Sequence, residues 1–377
     1  KTIDATGHVV APGFIDIHAH GQNIGDYRMQ AMQGVTTMLE LESGVLPIGE
    51  WYDKQGAKKL PIHYGAAAGW TFARIAAFAG GQPVATPEYF QEAQSRTDWK
   101  MNIATSEQLS QILKLVDQGL DDDARGIGIN AGYAPGHGQK EYFALAELAA
   151  ERNVATFTHV RYASNMEPRS SFQAVQELIA NAAITGAHMH LCHINSTSLR
   201  DIHSILKLVD DAFERNINIS VGAYPWGAAS TVVGAAMFSG EGWRERMGST
   251  AHNFQLGTER MTEEQLAGEL QVFDEDILEQ GYPDVGGRFS LETADETANA
   301  KLEVEFSVAE DLDGDGAGDD LLKHTVPVGL ELGRIAQVKS HLNRAGIVFV
   351  QGDVKRLAIG VQREAMGQQR FDVQPAG

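Results

Sequence analysis

Short apolar runs alternate with amphipathic stretches from about residue 14 to residue 225. Seven of the runs have the length and composition of β-strands. They are FIDIHAH (14–20), TTMLELE (36–42), PIHYGAA (61–67), GIGIN (126–130), VATFTH (154–159), HMHLCH (188–193) and INISVGA (217–223). The last four begin 28 to 34 residues apart, which suits a strand, a helix and two short loops. The pattern therefore predicts repeated βα units around a parallel sheet.

Two of the intervening stretches carry clear helical signals. Apolar side chains recur with the spacing of one helix face in residues 199–215. These are Ile202, Ile205, Leu206, Val209 and Phe213. A second helix is predicted to begin at Thr105, which forms a capping-box pattern with Gln108. Both helices would cover the outside of a (β/α)8, TIM-type barrel, whose catalytic groups lie at the C-terminal ends of its strands.

The pattern changes after about residue 270. The alternation of helix and strand fades, acidic residues accumulate, and LEVEFSV (302–308) alternates as a half-buried antiparallel strand would. An eighth barrel strand cannot be assigned. We therefore expect a barrel domain over residues 1–270 that is incomplete at the eighth strand, followed by a divergent, acidic, irregular or β-containing segment over residues 271–377.

Composition and charge narrow the range of partners. The net charge is −20 and the sequence pI is near 5.0, so a nucleic-acid backbone would be repelled. The sequence has no run of about 18 apolar residues, so no membrane span is predicted. With 377 residues and 43% apolar content, the chain can bury one large core. We expect a small-molecule substrate, with neither nucleic acid nor membrane as a partner.

The cysteine content and the first residues of the sequence indicate in which cellular compartment the protein is expected. Cys192 is the single cysteine, which rules out an internal disulfide and fits a reducing, cytoplasmic compartment. The opening sequence KTIDATGHVVAPGFID has neither an initial methionine nor the basic and apolar regions of a signal peptide. We therefore expect the sequence to begin inside a longer protein, where a signal peptide further upstream would not be seen.

Four histidines close predicted strands. His18 and His20 end the first strand, and side chains two residues apart on a strand share a face. His159 closes the fifth strand and His193 closes the sixth. Because the C-terminal ends of barrel strands meet at one rim, we predict that these four imidazoles converge on a zinc-type ion.

Two glutamates lie beside this predicted cluster. Glu40 and Glu42 share one face near the end of the second strand, where a carboxylate facing the barrel interior is costly unless a cation neutralises it. One of them is predicted to bridge two metals. Glu42 is favoured because it lies nearer the rim, and a plain salt bridge is the alternative. His188 and His190 alternate onto the face opposite His193 and are predicted either to be structural or to support the metal ligands from behind.

Six segments occur in the order and spacing of a known family: VVAPGFIDIHAH, GVTTMLELESGV, GINAGYAPG, FTHVR, LCHINS and GAYPWGAAST. They resemble the amidohydrolase superfamily, and specifically its N-acyl-D-amino acid deacylase (D-aminoacylase) branch. The resemblance runs from residue 1 to roughly residue 270. It implies a metal-dependent hydrolase barrel that splits N-acyl-D-amino acids into a carboxylate and a D-amino acid, using one or two zinc ions.

The resemblance also implies roles for individual residues. It implies metal binding by His18, His20, His159 and His193. Many family members have a bridging cysteine just past the second strand. Here that region reads ELESG, which is similar to the N-acyl-D-glutamate deacylase branch, where a glutamate takes the bridging role.

Substrate contacts follow from the same resemblance. Tyr133 and Tyr224 match tyrosines that contact the scissile carbonyl or the substrate carboxylate, and Ser230 matches a substrate-contacting serine. From the residues alone, ordinary packing at the rim would explain either tyrosine equally well. The family's lysine two residues after the strand-six histidine is Asn195 here. Asn195 and Arg161 are therefore the candidates for holding the substrate, with Arg161 expected to pair with its carboxylate.

The sequence departs from the family near its ends. The eighth-strand aspartate and the His-Pro-Arg segment after it are not found. Asp353, after AGIVFVQ, is the only candidate by context, but the residues around it do not match the family, so it is not assigned that role. Members of the family have a small β-sandwich built from both ends of the chain. Its first half would precede the position of Lys1, so this chain resembles a member truncated at both ends. Two alternatives stay open. One is a cyclic-amide or β-aspartyl dipeptide hydrolase, a group that usually carries a carboxylated lysine on the fourth strand, whereas GIGINAG has no lysine. The other is an inactive, degenerate metal-binding barrel.

The acidic stretch DLDGDGAGDD (311–320) is predicted to be a loop. Its side chains Asp311, Asp313, Asp315 and Asp319 have the alternating spacing that suits Ca²⁺, with glycines for a tight turn. Leu322 stands where a calcium loop carries its glutamate. A calcium site and a solvated acidic loop are the two interpretations of this stretch.

Overall fold

The computed structural model describes residues 11–224, 228–231, 235–238, 242–256 and 259–266, together with the backbone of strands 289–292, 301–310 and 320–329. Seven strands form one sheet in chain order, and every neighbouring pair is parallel. They are β1 Phe14–Asp16, β2 Val35–Val45, β3 His63–Gly69, β4 Ile127–Asn130, β5 Ala155–His159, β6 His188–Leu191 and β7 Ile219–Val221. The curled sheet is an incomplete TIM-type barrel, which confirms the predicted fold class and all seven predicted strands.

Helices follow the strands, and those with residues buried in the main core cover the outside of the sheet. They are α1 Ile24–Met32, α2 Ile48–Gly56, α3 Trp70–Ala79, α4 Pro87–Glu92, α5 Asp98–Met101, α6 Ser106–Asp121, α7 Gln139–Arg152, α8 Ser171–Thr185, α9 Ile194–Thr197, α10 Ile202–Glu214 and α11 Trp243–Met247. The predicted apolar face of α10 is confirmed, since Ile205 and Val209 are buried in the main core and Phe213 packs against it.

The predicted N-terminal cap of α6 is also confirmed. The Thr105 hydroxyl accepts a hydrogen bond from the Gln108 backbone N–H at 3.2 Å, and the Gln108 side chain accepts one from the Thr105 N–H at 2.9 Å. Each bond satisfies a donor that has no partner within the helix. Buried Ile112 and Val116 then anchor the helix on the sheet.

Replacing Thr105 with alanine is expected to lower the free energy of unfolding by about 1 kcal/mol, because an N-terminal N–H of α6 loses its acceptor. Urea denaturation of the two proteins measures the difference. Ser110→Ala, at an exposed position inside the same helix, is the control and should change stability by less than about 0.5 kcal/mol. Equal stability of Thr105→Ala and the wild-type protein would contradict the cap.

Further strands lie outside the parallel sheet. A four-stranded antiparallel sheet has the order β10-β9-β11-β8, and β12 and β13 form an antiparallel pair. Their bounds are β8 Ala228–Thr231, β9 Phe254–Leu256, β10 Glu259–Arg260, β11 Phe289–Glu292, β12 Lys301–Glu310 and β13 Asp320–Gly329. The antiparallel strand predicted over residues 302–308 is confirmed. The domain boundary at residue 270 stays a prediction, and the calcium candidates Asp311, Asp313, Asp315 and Asp319 lie outside the described residues.

A second, smaller core sits on the strand-end side of the barrel. It contains Phe238, Trp243 and Phe254, whose rings meet edge to face at centroid distances of 5.5 to 5.7 Å. This core packs against Tyr133 and Leu199, which follow β4 and β6. The segment after β7 therefore forms one wall beside the strand ends.

None of the helices in the described part of the chain combines the length and the apolar character needed to cross a membrane.

Candidate metal centre

Four imidazole side chains meet around one carboxylate at the strand ends. The Glu42 Oε2 atom lies 3.0 Å from His18 Nε2 and 3.0 Å from His20 Nε2. Its Oε1 atom lies 3.0 Å from His159 Nδ1 and 2.7 Å from His193 Nε2. Segments as much as 151 residues apart in the chain thus deliver four imidazoles to one glutamate. The convergence expected from the sequence is present in the structure.

The donor atoms fit divalent ions. They form two groups that share Glu42, one with His18 and His20 and one with His159 and His193, and the donors within each group lie within 4.8 Å of one another. Two ligand atoms about 2.1 Å from one zinc ion in tetrahedral geometry are about 3.4 Å apart, which is close to these separations. Imidazole nitrogen and carboxylate oxygen are also the donor types that zinc takes. The cluster can therefore hold two ions with a shared carboxylate.

A close approach of β2 to β4 positions Glu42. An added Cβ on Gly128 of β4 would lie 2.6 Å from the carbonyl oxygens of both Leu41 and Glu42. A side chain at position 128 would therefore push β2 away from the barrel interior. The absence of a side chain lets the Glu42 backbone approach β4, with its carboxylate between the first and fifth strands.

Electrostatics keep this carboxylate ionised. Burial alone would raise the pKa of Glu42, but the neighbouring His18 and His193 and the hydrogen bond with His159 outweigh it and hold that pKa well below its usual range. Burial lowers the pKa of His159, so that ring stays neutral at neutral pH and keeps a lone pair for a metal. At His20, burial disfavours the charged ring, but Glu40 and Glu42 outweigh it and hold the pKa of His20 well above its usual range, so an ion bound there would displace a proton.

Two tyrosines border the cluster. The Tyr133 ring meets the His159 ring edge to face at 5.2 Å, and its hydroxyl lies 3.1 Å from Thr231 Oγ1. Tyr224 lines a cavity of about 30 Å³ together with His18 and His193, a volume that admits water. Burial raises the pKa of each tyrosine to about 12, so both hydroxyls stay protonated and can donate hydrogen bonds.

Two residues of this cavity were not predicted from the sequence to be metal ligands or substrate contacts. Asp16 is the last residue of β1, two residues before His18, and accepts a hydrogen bond from the His18 backbone N–H at 2.9 Å. The alternation that paired His18 with His20 also puts Asp16 on the same face, so the signal was present. His190 lines the cavity as well, and its Nδ1 lies 2.9 Å from Ser220 Oγ.

The prediction that His190 and His193 face opposite sides of their strand is wrong, because both line the same cavity. Strand β6 ends at Leu191, and His193 has a φ of 31°, in the left-handed region. Strand alternation does not extend past the end of the strand, so it could not place the His193 ring. His188 contacts the same Ser220 hydroxyl at 2.8 Å, as a structural histidine would.

The surroundings of Arg161 argue against the predicted contact with a substrate carboxylate. Its Nε and Nη2 donate to the two oxygens of Glu177 on α8, at 2.9 and 2.7 Å. Its Nη1 donates to the carbonyls of Pro135 and His137. The arginine is buried, and its guanidinium nitrogens are hydrogen-bonded to Glu177 and to two backbone carbonyls. The sequence could not reveal this, because the acidic partner comes from the next helix.

The remaining predicted residues have different surroundings. The Asn195 side chain hydrogen-bonds the backbone carbonyl of Tyr224 at 3.0 Å and its N–H at 3.4 Å, so it holds the segment that carries that tyrosine. Ser230 lies on β8, but its side chain is outside the described residues, so its proposed role stays a prediction. Asp353 also lies outside the described residues.

Comparisons with known proteins agree with this fold. A family model described as "Amidohydrolase family" matches residues 1–352, while no curated protein matches the chain at a significant level. A solved N-acyl-D-glutamate deacylase from Bordetella bronchiseptica, complexed with zinc and a phosphonate inhibitor, has a TM-score of 0.55 and 18% identity, and covers 77% of this chain and 62% of its own. A solved D-aminoacylase has a TM-score of 0.52 and 16% identity, and covers 75% of this chain and 60% of its own.

The fold and the cluster define an α/β-barrel protein whose strand ends carry histidine and glutamate groups able to hold metal ions. The chain belongs to the amidohydrolase family, because that family model spans most of its length. It spans 62% and 60% of the two solved relatives, and at their level of identity the likeness shows the fold alone.

Proposed function

We propose that this chain hydrolyses the amide bond of N-acyl-D-amino acids with two zinc-type ions. His18 and His20 would hold one ion, His159 and His193 would hold the other, and Glu42 belongs to both groups of donors. The observation that carries the proposal is the sharing of Glu42, in which each carboxylate oxygen contacts two imidazole nitrogens within 3.0 Å. Such ions, when bound, lower the pKa of water towards 7 and polarise a carbonyl oxygen.

Family membership and fold support the choice of reaction. Amidohydrolases act on small molecules with a C–N bond, and the deacylase that resembles this chain was solved with zinc and a mimic of a tetrahedral intermediate. Enzymes that use a carboxylated lysine on the fourth strand are less well supported, because β4 reads IGIN and Glu42 already lies between the two histidine pairs. The barrel domain over residues 1–270 would carry the whole proposed site.

The two tyrosines supply hydrogen bonds to the substrate in this proposal. The Tyr224 hydroxyl is buried at the cavity, with the Ser196 side chain beside it. Because its pKa is raised to about 12 by burial, it stays a donor that can stabilise the negative charge developing on the acyl oxygen. Tyr133 has a second protonated hydroxyl beside His159. Ser230 is proposed to contact the substrate.

Metal analysis and an activity assay on the purified full chain test the proposal together. We expect about two zinc-type ions per chain and hydrolysis of acetyl-D-glutamate or neutral acetyl-D-amino acids, with the L-enantiomers as matched controls. A chelator should abolish turnover and zinc should restore it. Bound ions without turnover would indicate the inactive-barrel alternative, and equal turnover of L-substrates would contradict the D-amino acid specificity.

A further inference from the structure

Glu40 contacts the His20 ring at the nitrogen that faces away from Glu42. The His20 Nδ1 atom lies 3.0 Å from Glu40 Oε1 and 3.2 Å from Oε2, while Nε2 of the same ring faces Glu42 at 3.0 Å. Glu40 is buried and lies two residues before Glu42 on β2. The His20 ring therefore spans the two carboxylates, with one nitrogen on each.

The backbone joins the same two segments. His18 and Glu40 form an isolated antiparallel bridge, and the Ala19 N–H donates to the Leu39 carbonyl at 3.2 Å. This pairing fixes the segment after β1 against the middle of β2. The contact between His20 and Glu40 thus belongs to an ordered part of the barrel.

Packing alone does not fix the His20 ring. Half of its side chain is exposed, whereas the side chains of His18, His159 and His193 are 22%, 10% and 11% exposed. The outer nitrogen of His193 also has a partner, the Ser196 hydroxyl at 3.1 Å, but that group is uncharged. In the described residues, His20 is the one imidazole of the four that has a second carboxylate against its outer nitrogen.

A carboxylate at this position has two effects on a metal-binding histidine. It accepts the Nδ1 proton, which leaves the Nε2 lone pair directed at the ion and fixes the ring orientation. It also adds a negative charge close to a doubly charged cation, which makes the ring a stronger ligand. The histidine pair formed by His159 and His193 receives neither effect from Glu40.

We propose that Glu40 is a positioning residue that strengthens binding of the ion held by His18 and His20 and leaves the ion held by His159 and His193 unchanged. This inference rests on the proposed metal site, and it goes beyond it by making the two ions unequal in a way that one side chain outside the ligand set controls.

Glu40→Gln tests the proposal by metal binding, without any substrate. Competition of the full chain with a chromophoric chelator measures the affinity for each zinc ion, and cadmium NMR gives one resonance for each bound ion. We expect one of the two affinities to fall about 10- to 100-fold and one of the two cadmium resonances to move. Glu50→Gln, on the exposed side of α2 with its side chain 64% exposed, is the charge-matched control and should change neither.

A double-mutant cycle separates positioning from a general structural effect. In a His20→Ala background, Glu40→Gln should produce no further loss of zinc affinity, because the ring through which it acts is gone. If Glu40→Gln does not fold, as thermal unfolding would show, Glu40→Asp is used in the same way, with an intermediate loss expected because the carboxylate is withdrawn from the ring.

Three results would overturn the inference: unchanged affinity for both ions, an equal fall for both, or a full effect in the His20→Ala background. Failure of the proposed function looks different. A wild-type chain that binds two ions but hydrolyses no N-acyl-D-amino acid would contradict the substrate assignment and leave the role of Glu40 standing. Normal hydrolysis of N-acyl-D-amino acids by a chain whose two zinc affinities are equal and unaffected by Glu40→Gln would contradict the role of Glu40. It would leave the proposed function standing.

Discussion

Glu42→Gln is expected to weaken binding of both zinc ions by at least about a hundredfold. Changing only an outer partner of a metal ligand typically lowers affinity about 10- to 100-fold, and Glu42 contacts all four histidines directly. The variant keeps the size of the side chain but loses the charge that offsets the two cations. Zinc at about 100 times its Kd would stabilise the wild-type protein by about 2.7 kcal/mol, and this stabilisation should be absent from the variant.

Thermal unfolding with and without zinc measures this difference, and equilibrium dialysis gives the number of ions bound. Glu50→Gln again serves as the control, since it removes one carboxylate far from the strand ends and should keep the full effect of zinc. Hydrolytic activity should fall with the metal content of the Glu42 variant. If zinc stabilised the variant as much as the wild-type protein, the ions would have to bind elsewhere, and the proposed site would be wrong.

Glu141→Leu is expected to lower the free energy of unfolding by about 3–5 kcal/mol, because it leaves the buried Arg74 guanidinium without its counterion. Arg74 is fully buried and donates to Glu141 Oε2 at 2.5 Å and to the Trp99 carbonyl at 2.6 Å. The other Glu141 oxygen accepts a hydrogen bond from Trp70 Nε1 at 2.8 Å. This pair ties α3 to α7 behind the sheet.

Urea denaturation measures the change, with Glu147→Leu as the control. Glu147 lies on the same helix but is exposed, so its replacement should alter stability by less than about 0.5 kcal/mol. The double variant Arg74→Met with Glu141→Leu should recover most of the loss, because both charges are then removed together. A loss below about 1 kcal/mol for Glu141→Leu alone would show that solvent reaches the pair.

The order of elements and the positions of the histidines could be predicted from the sequence. The periods of 2 and 3.6 residues are local properties of the chain, so they located β1 to β7, the face of α10 and the cap of α6. The same periods placed His159 at the end of β5 and His18 and His20 close to the end of β1, which stops at Asp16 in the structure. In a barrel, strand ends share a rim, which is why the convergence of these rings could be expected from their positions alone.

Partners from distant segments could not be predicted in this way. Nothing near Arg161 in the sequence indicates Glu177, and nothing near Asn195 indicates the Tyr224 backbone. Both side chains were expected at the substrate, and both are engaged in holding the fold. Whether a polar group at the rim is available to a ligand depends on which neighbours the packing of helices and loops brings to it, and that packing is a property of the whole chain.

By itself, the sequence determined that this chain forms an α/β barrel and that Glu40 and Glu42 face its interior, because alternation on a strand gives both the same side. Only the tertiary structure decided between them. The close approach of β2 to Gly128 and the positions of β5 and β6 bring His159 and His193 to Glu42, while Glu40 reaches only the outer nitrogen of His20. Two carboxylates with identical local patterns acquire different surroundings because those surroundings come from strands more than a hundred residues away.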